Sequence, residues 1–262
     1  MTAVAMGMQP IPGLHAPLNV NDLDRACTMN LPSSYNGLPR IHASMSLGQH
    51  HISTLVEMFA RYDTLGKLGF ILLHKHDSIV DGQVKLETKL ETVPGGKWIK
   101  PASITSLDPN KMHGTVFNFL SEESRLVPYE FGQGPSTHSN IDDNAVKGFI
   151  DYITKHDLVD KIALQVLEPV KEGEPTELTA EVELGEENGT VVLPMSRIKN
   201  PDFIPTGWSV ATQQSGGPEP KETETWQVQV VKGKETHKVF ISHAADEKEL
   251  LEELVYHEVI EA

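Results

Sequence analysis

The sequence predicts an α+β fold: a mainly antiparallel, curved sheet, of barrel-like form at its most closed, with about three packed helices. Three observations lead there. Many short runs alternate apolar and polar residues with a period of two. Only three stretches carry a helical period, and strands and helices do not alternate regularly as they would in a parallel βα architecture. No internal repeat is visible. With 262 residues, the chain is long enough for one sizeable core. It reads as a single globular domain over 1–262, with an extended N-terminal segment over 1–45 and a flexible connector over 214–225.

Residues 1–45 are rich in Pro, Gly and Asn and are expected to wrap the surface, with one short helix over Asp22 to Thr28. Ser46 and Gln49 have capping-box spacing. Behind them Ile52, Leu55, Val56, Phe59 and Tyr62 form one apolar helix face, and Gly66 and Gly69 suit the turn that ends it. Phe70 to Ile79 and Gln83 to Thr92 are expected to pair as a hairpin around Asp81-Gly82. In the first strand Phe70, Leu72, His74 and His76 share a face. In the second, Val84, Leu86 and Leu90 alternate with Lys85, Glu87, Lys89 and Glu91, the pattern of a half-buried strand.

Pro94-Gly-Gly96 breaks the chain before further strands at Lys97 to Ile104, His113 to Leu120 and Leu126 to Phe131. Gly132 to Asn140 is a loop containing His138. Val146, Phe149, Ile150 and Ile153 mark an amphipathic helix capped by Asn140 or Asp142. Ile162 to Leu167 is a buried strand. Two hairpins follow, Leu178 to Leu184 with Thr190 to Met195, and Trp226 to Val231 with Glu235 to Ile241. The acidic C-terminal helix carries Leu250, Leu251, Leu254 and Val255 in one stripe. An isolated acidic helix is unstable, so the stripe is expected against the chain's own sheet, with a homodimer contact as the alternative.

A net charge of -15 argues against nucleic acid or an anionic membrane as partner. The glutamates between Glu168 and Glu187 read as a solvated acidic surface. Cys27 is the only cysteine, so no intramolecular disulfide can form, and a reducing, cytoplasmic home is expected. No nucleophile elbow, phosphate loop, zinc-protease helix or dinucleotide fingerprint is present.

The readable chemistry is therefore the histidines. Two imidazoles side by side on a strand suit a divalent metal such as zinc, iron or manganese. The expected ligands are His74 and His76, with a third from His51, His113 or His138. Glu130 or Asp81 would act as carboxylate ligand or base.

The order Gly69, His74, His76, Asp81, His113 resembles the ligand order of cupins, which implies a metal on a small β-barrel. Phe70-Ile-Leu-Leu-His-Lys-His76 followed by Pro128-Tyr-Glu130 also resembles a group of uncharacterised fungal proteins, a resemblance that implies a cytoplasmic eukaryotic protein and no particular activity.

The expectation is an intracellular enzyme, a metal-dependent hydrolase, lyase or oxygenase, acting on a small organic molecule. The alternatives are a metal-free small-molecule binder or enzyme, and a non-catalytic protein that docks a partner through its C-terminal helix.

Overall fold

The computed structural model describes residues 9–40, 45–135, 141–168, 178–185, 188–199, 203–212, 222–232, 235–236 and 244–261. Four α-helices lie among them: α1 Val20–Cys27, α2 Gln49–Arg61, α3 Asp143–Lys155 and α4 Glu247–Tyr256. The strands are β1 Leu68–Leu72, β2 Gln83–Lys89, β3 Lys97–Ser103, β4 Met112–Leu120, β5 Arg125–Gln133, β6 Ile162–Val166, β7 Thr179–Gly185, β8 Gly189–Pro194, β9 Phe203–Thr212, β10 Glu222–Lys232 and β11 Glu235–Thr236. They form one sheet in the order β11-β10-β7-β8-β3-β2-β5-β4-β6-β1-β9. Two pairings, β2 with β5 and β7 with β10, are parallel, and the others are antiparallel. β9 also pairs with β10, so the strand order returns on itself and the sheet curls into a barrel-like wall. The expected α+β class, with its curved and mainly antiparallel sheet, is what the chain adopts.

The helices cover the outside of this wall. α2 and α3 pack Leu55, Phe59, Phe149 and Ile153 onto Phe70, Leu72, Phe117 and Leu164. α4 sets Leu250 and Leu254, both fully buried, against Trp98, Val182 and Leu193. α1 covers Val84, Leu86 and Phe131 with Leu23 and Ala26. Each of these strand residues alternates with one whose side chain faces inward, and the inward set includes Lys85, Glu87, Glu181 and Glu183, all less than one-tenth exposed. The wall is thus apolar outside, under the helices, and carries buried charged groups among apolar ones inside. Charged side chains are rarely buried unless paired, so these interior groups are the feature that calls for an explanation.

Several local expectations need correction. β1 and β2 do not form a hairpin: β1 pairs with β6 and β9, and β2 with β3 and β5. All five residues of β1 are buried. Such a strand is central and needs a partner on both sides, which β6 and β9 supply. The turn at Asp81-Gly82 is real, with Gly82 at φ +77°, but a turn signal does not name the strands it joins. α2 begins two residues later than the capping-box spacing suggests, with Gly48 as N-cap and no side-chain cap. α3 is capped by Asp142, whose side chain accepts from Asn144 N, as one of the two expected options. Glu222 to Thr225, expected within the connector, belong to β10, and residues 213–221 lie outside the described set. The C-terminal helix packs on the chain's own sheet.

Candidate metal centre

The outer core holds β1 in place up to Leu72, and Leu73 N still donates to Lys161 O at 2.8 Å. His74 and His76 lie just beyond, in an irregular segment that the N-terminal region clamps. Lys75 N donates to Pro39 O at 2.8 Å. His76 N donates to Tyr35 Oη at 3.1 Å, and Arg40 Nη1 donates to His76 O at 2.8 Å. Asn36 takes Ile79 N on its Oδ1 at 2.9 Å and returns Nδ2 to Ile79 O at 2.7 Å. Tyr35 is fully buried, with Leu38 beside it. The N-terminal segment, expected to wrap the surface, therefore fixes the backbone of His76 and of Lys75 and Ile79 on either side of it.

The two rings are edge to face, with centroids 4.8 Å apart at 86°. His74 Nδ1 lies 2.6 Å from Leu72 O, an acceptor only, so this nitrogen carries a proton and Nε2 is the atom left free to act as a ligand. His76 Nδ1 is 3.3 Å from Glu183 Oε1. The Nε2 atoms of both rings converge on one oxygen, Glu181 Oε2, at 3.7 Å from His74 and 3.4 Å from His76. One ligand atom from each of His74, His76 and Glu181 falls within 4.8 Å of the other two. Donors about 2.0–2.1 Å from a tetrahedral ion are roughly 3.3–3.4 Å apart, so small side-chain adjustments would complete the set. At 3.7 Å, His74 Nε2 is too far from Oε2 for a hydrogen bond, and neither atom has a hydrogen-bond partner among the described residues. Two buried, converging, unsatisfied atoms are expensive to leave so, and a cation between them would satisfy both.

The strands close a small cavity around this trio. Each of β1 to β8 contributes a wall residue: Ile71, Glu87, Lys97 and Ile99, Val116, Glu130, Gln165, Glu181 and Val192. Its volume is about 20 Å³. Lys97 Nζ pairs with Glu87 Oε1 at 2.9 Å. Burial alone would push the His76 imidazolium down, but the carboxylates of Glu181 and Glu183 outweigh it and hold the pKa up at about 10. Burial would likewise raise Glu181, yet the two imidazoles pull it well below the ordinary carboxylate range. Glu130 moves the other way. Its surroundings are those of the barrel interior although its side chain is only partly covered, and burial together with the charge of Glu181 pushes it up to about 7.

Of the residues singled out from the sequence, the structure brings His74, His76 and Glu130 to one cavity. Asp81 is exposed at its turn, where its Oδ1 accepts from Gly82 N, and does not reach the site. His51 lies on α2, on the helix-covered side of the sheet, with its Nδ1 2.8 Å from Tyr152 Oη. His113 sits near the start of β4, where its Nδ1 donates to Gly134 O at 3.0 Å. Residue type gave no indication that His51 would lie under the helices, or that His113, on the inner face by its pairing with Gly132, would stand outside the lining of the cavity. His138 falls outside the described residues. The third candidate ligand is instead Glu181, from the stretch expected to be a solvated acidic surface. Its signal was the alternation Ala180-Glu-Val-Glu-Leu184, which marks two faces and leaves open which one meets water.

A larger apolar groove of about 510 Å³ lies against α4, lined in part by Leu193, Arg197, Leu251 and Val255, away from the histidines. No helix among the described residues is long and apolar enough to cross a membrane. Comparisons with protein-family models, curated proteins and solved structures find no match for this chain.

Proposed function

We propose that the chain is a metal-dependent enzyme acting on a small molecule, with His74, His76 and Glu181 as ligands of a single divalent ion. The observation that carries this reading is the convergence of two imidazole Nε2 atoms on one carboxylate oxygen in a closed cavity, with His74 Nε2 and Glu181 Oε2 lacking hydrogen bonds among the described residues. Two imidazoles and one carboxylate suit zinc or iron(II), and a bound ion of this kind supplies Lewis acidity and a lowered pKa for coordinated water.

The chain's own residues prepare the site. Leu72 O holds the His74 ring with Nε2 inward, and Glu183 does the same for His76, the outer-shell arrangement that fixes tautomer and raises ligand basicity. Glu130, on the cavity wall and near neutrality in its proton affinity, is placed to give or take a proton there. The apolar walls Ile71, Ile99, Val116 and Val192 limit bulk water.

A second reading has its own observation. His76 between Glu181 and Glu183 forms a buried imidazolium–carboxylate group that partly satisfies itself, which suits a metal-free binding site. Metal analysis of untagged protein separates the two. Stoichiometric zinc, iron or manganese, lost in a folded H74A/H76A variant, supports the metal centre. Protein that stays metal-free after exposure to each ion while fully folded refutes it.

A further inference from the structure

We infer that the centre admits only ligands of at most three heavy atoms, so that beside water its substrate class is diatomic and triatomic molecules or ions rather than ordinary organic metabolites. This rests on the metal reading above and adds to it a limit on what can reach the ion. The cavity measures about 20 Å³, room for about one water-sized guest beside the ligands, where sites for drug-sized molecules span about 300–1,000 Å³. Its size is set by rigid parts. Ile71, Ile99, Val116 and Val192 stand on four different strands, each hydrogen-bonded into the sheet, and their outer neighbours are packed under helices. Moving any of them outward would shift a close-packed layer. The one irregular stretch in the wall carries His74 and His76, and Tyr35, Asn36 and Arg40 pin it by hydrogen bonds. Among the described residues, then, no loop lines the cavity that could open without breaking those bonds. Glu130 and Gln165 are polar groups in the wall of the same cavity.

The test uses untagged protein loaded with cobalt(II), with metal content measured first, and titrates azide (three heavy atoms) and imidazole (five) by visible absorption. Azide should perturb the spectrum saturably, with imidazole binding at least about tenfold more weakly. In V192A or I99A, each shortening one wall residue, imidazole should gain at least about tenfold while azide changes little. Two variants guard against one that does not fold. Imidazole binding to the wild type as tightly as azide overturns the size limit while leaving the metal centre intact. So does the absence of any azide response in protein that holds a full equivalent of cobalt. Failure to take up cobalt, zinc or iron at all removes the metal reading itself, an outcome that the metal measurement distinguishes before any titration.

Discussion

The molecule holds two groups of histidines, and their difference shows how little the residue type decides alone. Inside the barrel, His74 and His76 face carboxylates in a closed cavity. Outside it, at the start of α2 and the end of α3, His50, His51 and His156 face one another and Tyr152, with ring centroids 3.8 Å apart for His50–His51 and 5.5 Å for His51–His156. The inner group sets His76 between two carboxylates, so its pKa is held up at about 10. In the outer group burial comes first, followed by the charges of His50, His156 and Lys161, and these push His51 below its usual value. The same side chain becomes a better proton holder in one place and a worse one in the other. Only the inner group also supplies a carboxylate at ligand distance, which is why it alone among the described residues forms a candidate metal cluster.

The comparison can be broken most forcefully at Glu181. Replacing it with Ala leaves His76 with one carboxylate partner and the cavity short of a ligand. Breaking a buried ion pair this way costs about 3–5 kcal/mol. E181A should therefore melt well below the wild type in calorimetry and retain no stoichiometric metal, whereas H50A on the outer group should change neither measurably.

Next in size is Tyr35, which touches no ligand side chain. Y35F removes the acceptor for His76 N and the hydroxyl that faces Asp77 Oδ1 at 3.4 Å. Leaving such buried groups unsatisfied costs about 1–3 kcal/mol. Metal affinity, read by chelator competition, should fall as well. An unchanged affinity would mean that the clamp holds the fold and not the ligand geometry.

The two groups should also leave opposite marks on stability against pH in metal-free protein. His76 has a folded-state pKa raised from 6.5 to about 10, so its contribution is fully present below about 6.5 and is lost as pH rises towards 10. His51 is depressed, so its contribution is present above 6.5 and is lost as pH falls below that value. Denaturant midpoints measured from pH 5 to pH 10 should show H76N flattening the alkaline side and H51N the acidic side. Matching profiles for the two variants would erase the distinction. The smallest effect is expected from Y152F, which removes the hydrogen bond to His51 Nδ1 at the cost of about 0.5–1.5 kcal/mol.

Most elements could be read from the chain because each is written locally. The alternation over Leu178 to Leu184 and Thr190 to Met195 became β7 and β8, paired as expected, and the helical stripe of Leu250 and Leu254 became the buried face of α4. The pairing of β1 was not legible, because its partners lie about a hundred residues and more downstream and a turn at Asp81-Gly82 offered a nearer one. The site was half legible for a related reason. His74 and His76 stand two apart, a spacing that suggests a pair. Glu181 and Glu183 alternate with apolar residues as any strand at a surface would, and Lys85 and Glu87 do the same on β2. Alternation reports that a strand has two faces. Whether the polar one meets solvent or the inside of a closed wall is settled by how the whole sheet curls, which no local window contains.

The places of the candidate ligands along the chain have a consequence for biosynthesis. Glu183 lies 107 residues beyond His76, and the clamp that holds His76 begins 41 residues before it, at Tyr35. A nascent chain that has just released His74 and His76 from the ribosome can dock them on Tyr35 and Arg40 but has no carboxylate to set against them. At translation speeds of about 5–20 residues per second, the histidine pair waits several seconds for β7 to appear. Such long-range closure also belongs to the slow end of folding, since the loop must be closed before its contacts stabilise anything. If the site holds a metal as proposed, the two imidazoles would in that interval offer two donors to a passing ion such as zinc or iron, and the arrival of Glu181 would complete the set.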